Sequence, residues 1–518
     1  MKNLIRIASV YFVFTFGYFL SSAQAPPILW SRCYGGSYMD HCSDAVQTVD
    51  GGYILAGYTS SVDMDVTGNH GSEDFWLVKT DDNGYLQWEK CLGGTTEEEA
   101  FSVRQTSDGG YIVAGWTNSI DGDVTGLHGS VDLWVVKTDS TGNIQWEKTL
   151  GGSGEEGYYI GRIIVNQTPD GGYAVASSTN SNDQDVSGNH GDYDYWLVKL
   201  DGNGNIMWQR CFGGSDTDQL RDMRVTQDHG FILAGLCNSV DGDLTGYNNN
   251  FAASFFVKTD SLGVIQWRSS YYCIDTLTNC DGQMSVYSIM QLPFGDYLAA
   301  GTIYYYGYIY HYITNQLSST GIVGGNQQYA SYVDPYRNFC YSIQPTSDNG
   351  YILTGQTDDT EDDMFIYKTG SLGNWHFEWD TLSFEYQMAG TAFESADGGF
   401  VIAGTSDADS SCSPNYDPFQ FRLIKLGGVL SAPDKTHYRS FTGYFQRDHL
   451  SMDIIFDDDD QVQIFLTDIT GRLLMKTGNV VNPGSHHFDF NTENLAKGIY
   501  IVSLLGKKGA ACLKVARE

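Results

Sequence analysis

Short apolar and aromatic runs of strand length recur along this chain, each bounded by turns rich in Gly and Asp. The stretch from Thr106 to Gly152 sets the pattern. It reads Thr-Ser-Asp-Gly-Gly-Tyr-Ile-Val-Ala-Gly-Trp-Thr, an acidic Gly-rich loop, Asp-Leu-Trp-Val-Val-Lys-Thr-Asp, and Gly-Asn-Ile-Gln-Trp-Glu-Lys-Thr-Leu-Gly-Gly. A strand over 101–106 precedes the Asp-Gly-Gly turn and a second, 111–117, follows it. Asp-Gly and Gly-Gly accept the positive φ that hairpin turns demand, so the two strands pair antiparallel. A third strand is predicted at 75–80, 133–138 and 195–200, and a fourth around Trp88, Trp146, Trp208 and Trp267. Their aromatic and β-branched residues suit a packed pleated surface.

The turn marks seven units: Asp50-Gly-Gly-Tyr53, Asp108-Gly-Gly-Tyr111, Asp170-Gly-Gly-Tyr173, Asp228-His-Gly-Phe231, a degraded Phe294-Gly-Asp-Tyr297, Asp348-Asn-Gly-Tyr351 and Asp397-Gly-Gly-Phe400. Their spacings are 58, 62, 58, 66, 54 and 49 residues. Four short antiparallel strands repeated radially predict an all-β chain built as a seven-bladed β-propeller with four-stranded blades, over 26–430. The chain enters with Ile28-Leu-Trp30, which reads as a fourth strand lacking its first three, and the seventh unit stops after its third. The N-terminal strand is therefore expected to close the last blade and remove a sheet edge. Small pairs in the second strands (Ala56-Gly57, Ala114-Gly115, Ala234-Gly235, Ala300-Gly301, Ala403-Gly404) suggest close approach near a crowded axis.

The unit, with its Asp-Gly-Gly-Tyr, Ala-Gly-x-Thr, Val-Lys-Thr-Asp and Trp…Leu-Gly-Gly, resembles the bacterial SBBP-type β-propeller repeat over about 28–428. That resemblance implies a secreted or surface propeller and brings no catalytic residue with it.

After a polar connection, 431–450, a different pattern begins. Several strand-like runs over 451–518 suggest a small Ig-like β-sandwich. Val462-Gln-Ile-Phe-Leu-Thr-Asp-Ile-Thr-Gly471-Arg-Leu-Leu, Leu495-Ala-Lys-Gly498-Ile-Tyr500 and Leu513-Lys514-Val515 resemble the type A sorting domain of the type IX secretion system. The resemblance implies a Bacteroidota-type host, the type IX machinery as partner, passage through the outer membrane to the exterior or cell surface, and removal of the domain on release or attachment.

Residues 1–25 read as a signal peptide: Lys2 and Arg6, an apolar run over 7–20, then Ala23-Gln-Ala25 as cleavage site. No later segment is long and apolar enough to span a bilayer. Net charge is −34, from 63 acidic against 29 basic residues, which disfavours nucleic acid and anionic lipid as partners. All ten Cys lie beyond the cleavage site, where disulfides persist. Cys33/Cys42 and Cys273/Cys280 are close enough in sequence for local bridges, with structural disulfides or buried free thiols as the plain reading.

Three acidic loops between second and third strands supply the candidate metal ligands: Asp63, Asp65 and Asp74; Asp121, Asp123 and Asp132; Asp183, Asp185 and Asp194. Closely spaced carboxylates with Gly suit Ca²⁺, a hard cation, although the EF-hand spacing is absent. The structural alternative is that these side chains cap their own loops. A second acidic series (Asp40, Glu98, Glu156, Asp218) and a Lys series (Lys79, Lys137, Lys199, Lys258, Lys368, Lys425) recur too regularly for catalysis and read as scaffold. Unit five instead carries Tyr304, Tyr305, Tyr306, Tyr308, Tyr310 and Tyr312, aromatic faces that could stack on a ligand or simply fill an outer strand.

No nucleophile, metalloprotease or phosphate-loop motif is present. The expectation is a non-enzymatic binding or adhesion protein for a polysaccharide, glycoprotein or protein. Its alternatives are an extracellular glycan-active hydrolase or lyase using channel carboxylates, and a purely structural surface protein.

Overall fold

A computed structural model describes residues 26–518 except 159–161, 247–252, 272, 276–279, 283, 305–309, 330–337, 358–363, 370–374, 381–386, 408–418, 428–437, 447–448, 457–459, 469–472, 494, 496, 506–509 and 518. The proposed signal peptide lies outside the described residues.

The Asp-Gly-Gly turns impose the first contacts. Gly51, Gly109 and Gly171 sit at φ 87°, 84° and 83°, where a side chain is strained. Each turn folds its first strand against its second, as in Asp40–Gln47 against Tyr53–Thr59. Asp74–Thr80 and Leu86–Leu92 complete a four-stranded antiparallel sheet in sequence order. Five more sheets repeat that order. In the seventh, Ile28–Tyr34 takes the outer place beside Phe419–Leu426, Phe400–Asp407 and Gln387–Glu394, with register from Ile28↔Leu426 to Tyr34↔Phe421. The Gly427 N–H continues the pairing to the Pro27 carbonyl at 2.9 Å. The chain forms seven blades, closed by its N-terminal strand.

Each third strand lies inside its sheet, between the second and fourth strands, and the blades on either side cover its two faces. Asp74–Thr80, Asp132–Thr138 and Asp194–Leu200 are buried along their whole length. Trp76, Trp134 and Trp196 are fully buried, and each indole N–H is satisfied at 2.9 Å by Glu89, Glu147 or Gln209. The outer-strand tryptophans reach the next blade: Trp88, Trp146, Trp208 and Trp267 meet Tyr111, Tyr173, Phe231 and Tyr297 edge-on.

The small pairs make room on two sides: for the neighbouring blade's ring, Phe421 at Gly57 and Phe75 at Gly115, and for a distortion in their own blade. In six blades the first strand carries a β-bulge opposite them: Ser43, Phe101, Arg221, Tyr287, Tyr341 and Gly390 are the extra residues. The bulge thrusts the preceding carbonyl at the Gly. A Cβ on Gly57, Gly115 or Gly235 would lie 1.8, 1.9 or 2.0 Å from the oxygen of His41, Glu99 or Gln219. The third blade has Ser177 in place of this Gly; its continuous pairing runs from Ile164↔Ala176, and Glu156↔Thr179 bridges the two segments again beyond a longer insertion.

The C-terminal region forms two antiparallel sheets. One orders Tyr438–Gln446, His449–Phe456 and Gly484–Asn491; the other orders Leu473–Val481, Asp460–Asp468, Gly498–Leu505 and Ala510–Arg517. Residues of both sheets, including Leu450, Met452, Ile464, Leu466 and Val502, share one apolar cluster. The stretch 431–450 thus contributes a strand of its own, Tyr438–Gln446, and only its first part precedes the sheets.

Candidate functional site

The loop carboxylates act between blades. Asp63, Asp121, Asp183 and Asp241 accept the N–H of Ser37, Thr95, Ser153 and Ser215 at 2.7–2.8 Å. These residues follow the Gly-Gly that links the preceding outer strand to this blade. Asp65, Asp123 and Asp185 take the N–H of Gly35, Gly93 and Gly151 at 3.3–3.4 Å, while their own N–H groups donate to the same glycines' carbonyls. Asp74, Asp132 and Asp194, fully buried, accept the backbone N–H and the ring Nδ1 of His70, His128 and His190. Among the described residues no three His, Cys, Asp or Glu come together to hold a metal ion.

The two other repeated series occupy fixed structural posts. Glu98 and Glu156, wholly buried, accept the N–H of Gly94 and Gly152 and the hydroxyls of Thr117 and Thr179. Burial pushes Glu156 up to about 7, against these donors, and Asp40, Asp194 and Asp218 up to about 6. Each lysine ammonium is buried against the Asp of its own turn, as in Lys137–Asp108 at 2.9 Å and Lys258–Asp228 at 2.8 Å. Burial pulls Asp108 upward, but Thr106, Lys137 and Gly110 outweigh it and hold the carboxyl at about 2. The fifth blade explains its own departure: Phe294 replaces the turn Asp, and Gln316 stands where the lysine would be, bonded to Asp296 at 3.2 Å.

Of the tyrosine run, Tyr304 and Tyr310 form the last backbone pair of their two strands, and Tyr312 pairs with Thr302. Tyr305, Tyr306 and Tyr308 lie outside the described residues.

The bulge residues supply a site that the repeat conceals. First strands of adjacent blades contact one another around the axis, and a bulge re-aims one side chain per strand. A cavity of about 200 Å³ in the channel is lined by all six bulge residues, with Arg162 from the third blade and His41 beside them. The bulge position recurs in six blades, but only Tyr287 and Tyr341 share a residue type there. A smaller space of about 40 Å³ continues past Asp44, Arg104, Asp222 and Arg224.

Arg162 and Arg221 line both spaces, and Asp44 and Asp222 line the smaller one with them. Asp44 accepts Arg104 at 2.5 Å and the Val103 N–H at 3.1 Å; Asp222 accepts Arg224 at 3.3 Å, the Ser288 hydroxyl at 2.7 Å and the Ile289 N–H at 2.9 Å. Both carboxylates are fully engaged. Arg162 reaches across to the Tyr341 carbonyl at 3.3 Å, and Arg221 bonds Gln219 at 2.9 Å and lies 5.4 Å from the Tyr287 ring centre. Neither arginine has a carboxylate within 4.0 Å among the described residues, and the buried Nε of Arg221 has no partner there. Burial lowers Arg162, with Asp222 and Asp44 pulling it back, and the guanidinium stays a cation. Burial also pushes His41 down to about 4, aided by Arg162, so its ring is neutral at pH 7; it stacks on Tyr58 at 5.1 Å.

The structure corrects one disulfide expectation. Cys42 is a buried free thiol, so Cys33 does not bridge to it although Cys33 is disulfide-bonded. The two belong to different blades, Cys33 in the closing strand and Cys42 on the channel strand. Backbone pairing sets Cys273 opposite Gly282 and Cys280 opposite Asp275; their side chains lie outside the described set. In the C-terminal sheets Tyr500 is buried and pairs with Val515 and Asp468, Lys514 pairs with Ile501, and Gly498 with Arg517. Gly471 lies outside the described residues.

No curated protein matches the sequence. Similar solved structures include a protein of unknown function from Bacteroides caccae, 12% identical, covering 63% of this chain and 93% of that one at TM-score 0.36. Another of unknown function, from Dyadobacter fermentans, is 10% identical over 79% and 99% at TM-score 0.39. The periplasmic gluconolactonase PpgL of Pseudomonas aeruginosa is 11% identical over 71% and 96% at TM-score 0.33. At these scores the likenesses carry no inference about function. No helix among the described residues is long and apolar enough to cross a membrane. Residues 448–516 match the secretion system C-terminal sorting domain, which makes this a secreted or cell-surface propeller whose partner in export is the type IX machinery.

Proposed function

We propose that the exported propeller is a non-enzymatic binding protein that takes a glycan or a protein-borne group at its central channel. The observation that carries this reading is the bulge ring. Six blades use one backbone device to aim a residue at the axis, and the six positions hold five different residue types. A scaffold position repeats its residue, as the lysines do; a ligand contact has no reason to. Glycoside hydrolysis needs two carboxylates free to exchange protons or attack. Asp44 and Asp222 are instead tied to arginines and backbone N–H groups.

The test is a broad glycan and glycoprotein panel offered to the full mature chain and to a Phe101→Ala/Tyr341→Ala variant, with and without EDTA. Binding that persists in EDTA and is lost in the variant is expected. Ligand cleavage, or binding indifferent to the channel substitutions, would overturn the reading.

A further inference from the structure

We infer that the channel recognises a sugar ring bearing a single carboxylate, held between Arg162 and Arg221; this rests on the channel being the ligand site. Arg162 and Arg221 share a cavity with no carboxylate within 4.0 Å of either among the described residues, and the four arginines around it outnumber its two acids, Asp44 and Asp222, in a chain whose net charge is −34. Burying cations unpaired is costly, and the acids within reach, Asp44 and Asp222, already serve Arg104 and Arg224. A carboxylate would supply what is missing. Its two oxygens match the planar fork of a guanidinium, which presents paired N–H donors in one plane.

Size and surroundings narrow the class. About 200 Å³ is below the usual range for drug-sized ligands, roughly 300–1,000 Å³, and holds one ring. Phe101, Tyr287 and Tyr341 offer aromatic faces, and Tyr faces suit the apolar side of a sugar. His41, neutral at pH 7, adds a hydrogen-bonding group and no third charge. The acidic loops stand at the end of the ring where the first strands begin, which is the end the cavity faces: Asp63 binds Ser37, just ahead of His41 and Ser43. Charges there act over about 8 Å at physiological salt. They repel a polyanion approaching the channel while leaving a single carboxylate to be captured inside.

Isothermal titration of the full mature chain with glucuronate, galacturonate and N-acetylneuraminate, beside methyl glucoside and inorganic sulfate, tests this. At least one sugar acid is expected to bind at least tenfold more tightly than the neutral sugar and sulfate, with affinity flat from pH 6 to 9. Losing one charge-assisted contact weakens binding roughly tenfold or more, so Arg162→Gln and Arg221→Gln should each show that loss. Arg221→Lys should recover part of it, and Asp82→Asn on the surface should change nothing. Urea curves matching the parent exclude misfolding as the cause. Equal binding of the neutral sugar, equal binding of sulfate, or full affinity in both glutamine variants would overturn the inference. If neutral glycans bind and only Phe101→Ala/Tyr341→Ala abolishes it, the anion inference fails while the channel remains the binding site.

Discussion

At the rim, Asp63, Asp121, Asp183 and Asp241 hold one position of the repeat and share one bond, from the N–H three residues past the preceding outer strand. In the channel, the bulge position holds Ser43, Phe101, Arg221, Tyr287, Tyr341 and Gly390, and no contact is shared by all. Both regions rise from the same blades. The rim is acidic and its side chains are occupied in joining blade to blade. The channel is basic, and its arginines keep donors in reserve. Recurrence in a repeat protein marks a bond the architecture needs every time, and the non-recurring positions are free to meet something else.

The comparison breaks most severely if the bulge is removed. Gly115→Val would drive a side chain into the Glu99 carbonyl and the Phe75 ring, so the bulge at Phe101 must flatten. Overpacking of this kind costs about 3 kcal/mol. Urea denaturation should show that loss, and the variant should also lose ligand. A smaller effect tests the scaffold alone. Asp108→Ala leaves the Lys137 ammonium, only 3% exposed, without its carboxylate. Since Asp108 is itself half exposed, the loss is expected at about 2 kcal/mol, below the 3–5 of a fully buried pair. Channel binding should survive. An unchanged urea midpoint would show that the repeated pair is dispensable.

The smallest effect is a pH slope. Buried Asp40, Asp194, Asp218 and Glu156 titrate at about 6 to 7 in the fold, against ordinary values of 3.8 to 4.5. Across that window the native state binds more protons than the unfolded one, so stability falls as pH rises from about 4 to 7. The turn aspartates Asp108, Asp170 and Asp228 are held at about 2, so their contribution is complete above about 4 and lost below it. Melting temperature should therefore peak near pH 4–5, and Glu156→Gln should flatten the upper limb. A parent profile flat between pH 5 and 8 would refute the buried-carboxylate account.

The blades, their number and their closure were legible because the hairpin turn recurs seven times, four times as Asp-Gly-Gly and three times in altered form. The lysine and second acidic series were legible as scaffold for the same reason. The channel was not, since an inserted residue shifts a strand's period by one and leaves no motif of its own. Its signal was indirect: the Gly of Ala-Gly faces the bulge, and Ala176-Ser177 marks the blade whose continuous pairing begins only at Ile164. Cys33 and Cys42 misled because nearness in sequence spans a blade boundary here. Tyr438–Gln446 was hidden in a stretch whose polar residues and Pro433 read as a connection, although Tyr438, Phe441, Tyr444 and Phe445 are residue types that favour strands.

Closure by Ile28–Tyr34 also sets an order of events. The first strand of the propeller has no partner until the chain through Leu426 exists, so the ring is the last thing to form. The entropy of joining such distant ends is modest: closing a loop seven blades long instead of one costs only about 1.7 kcal/mol more. The penalty falls on time, because non-local pairing slows folding. Once made, the join places entry and exit of the propeller side by side on one blade, so a protease cutting after Gly427 would detach the export domain and leave the ring latched.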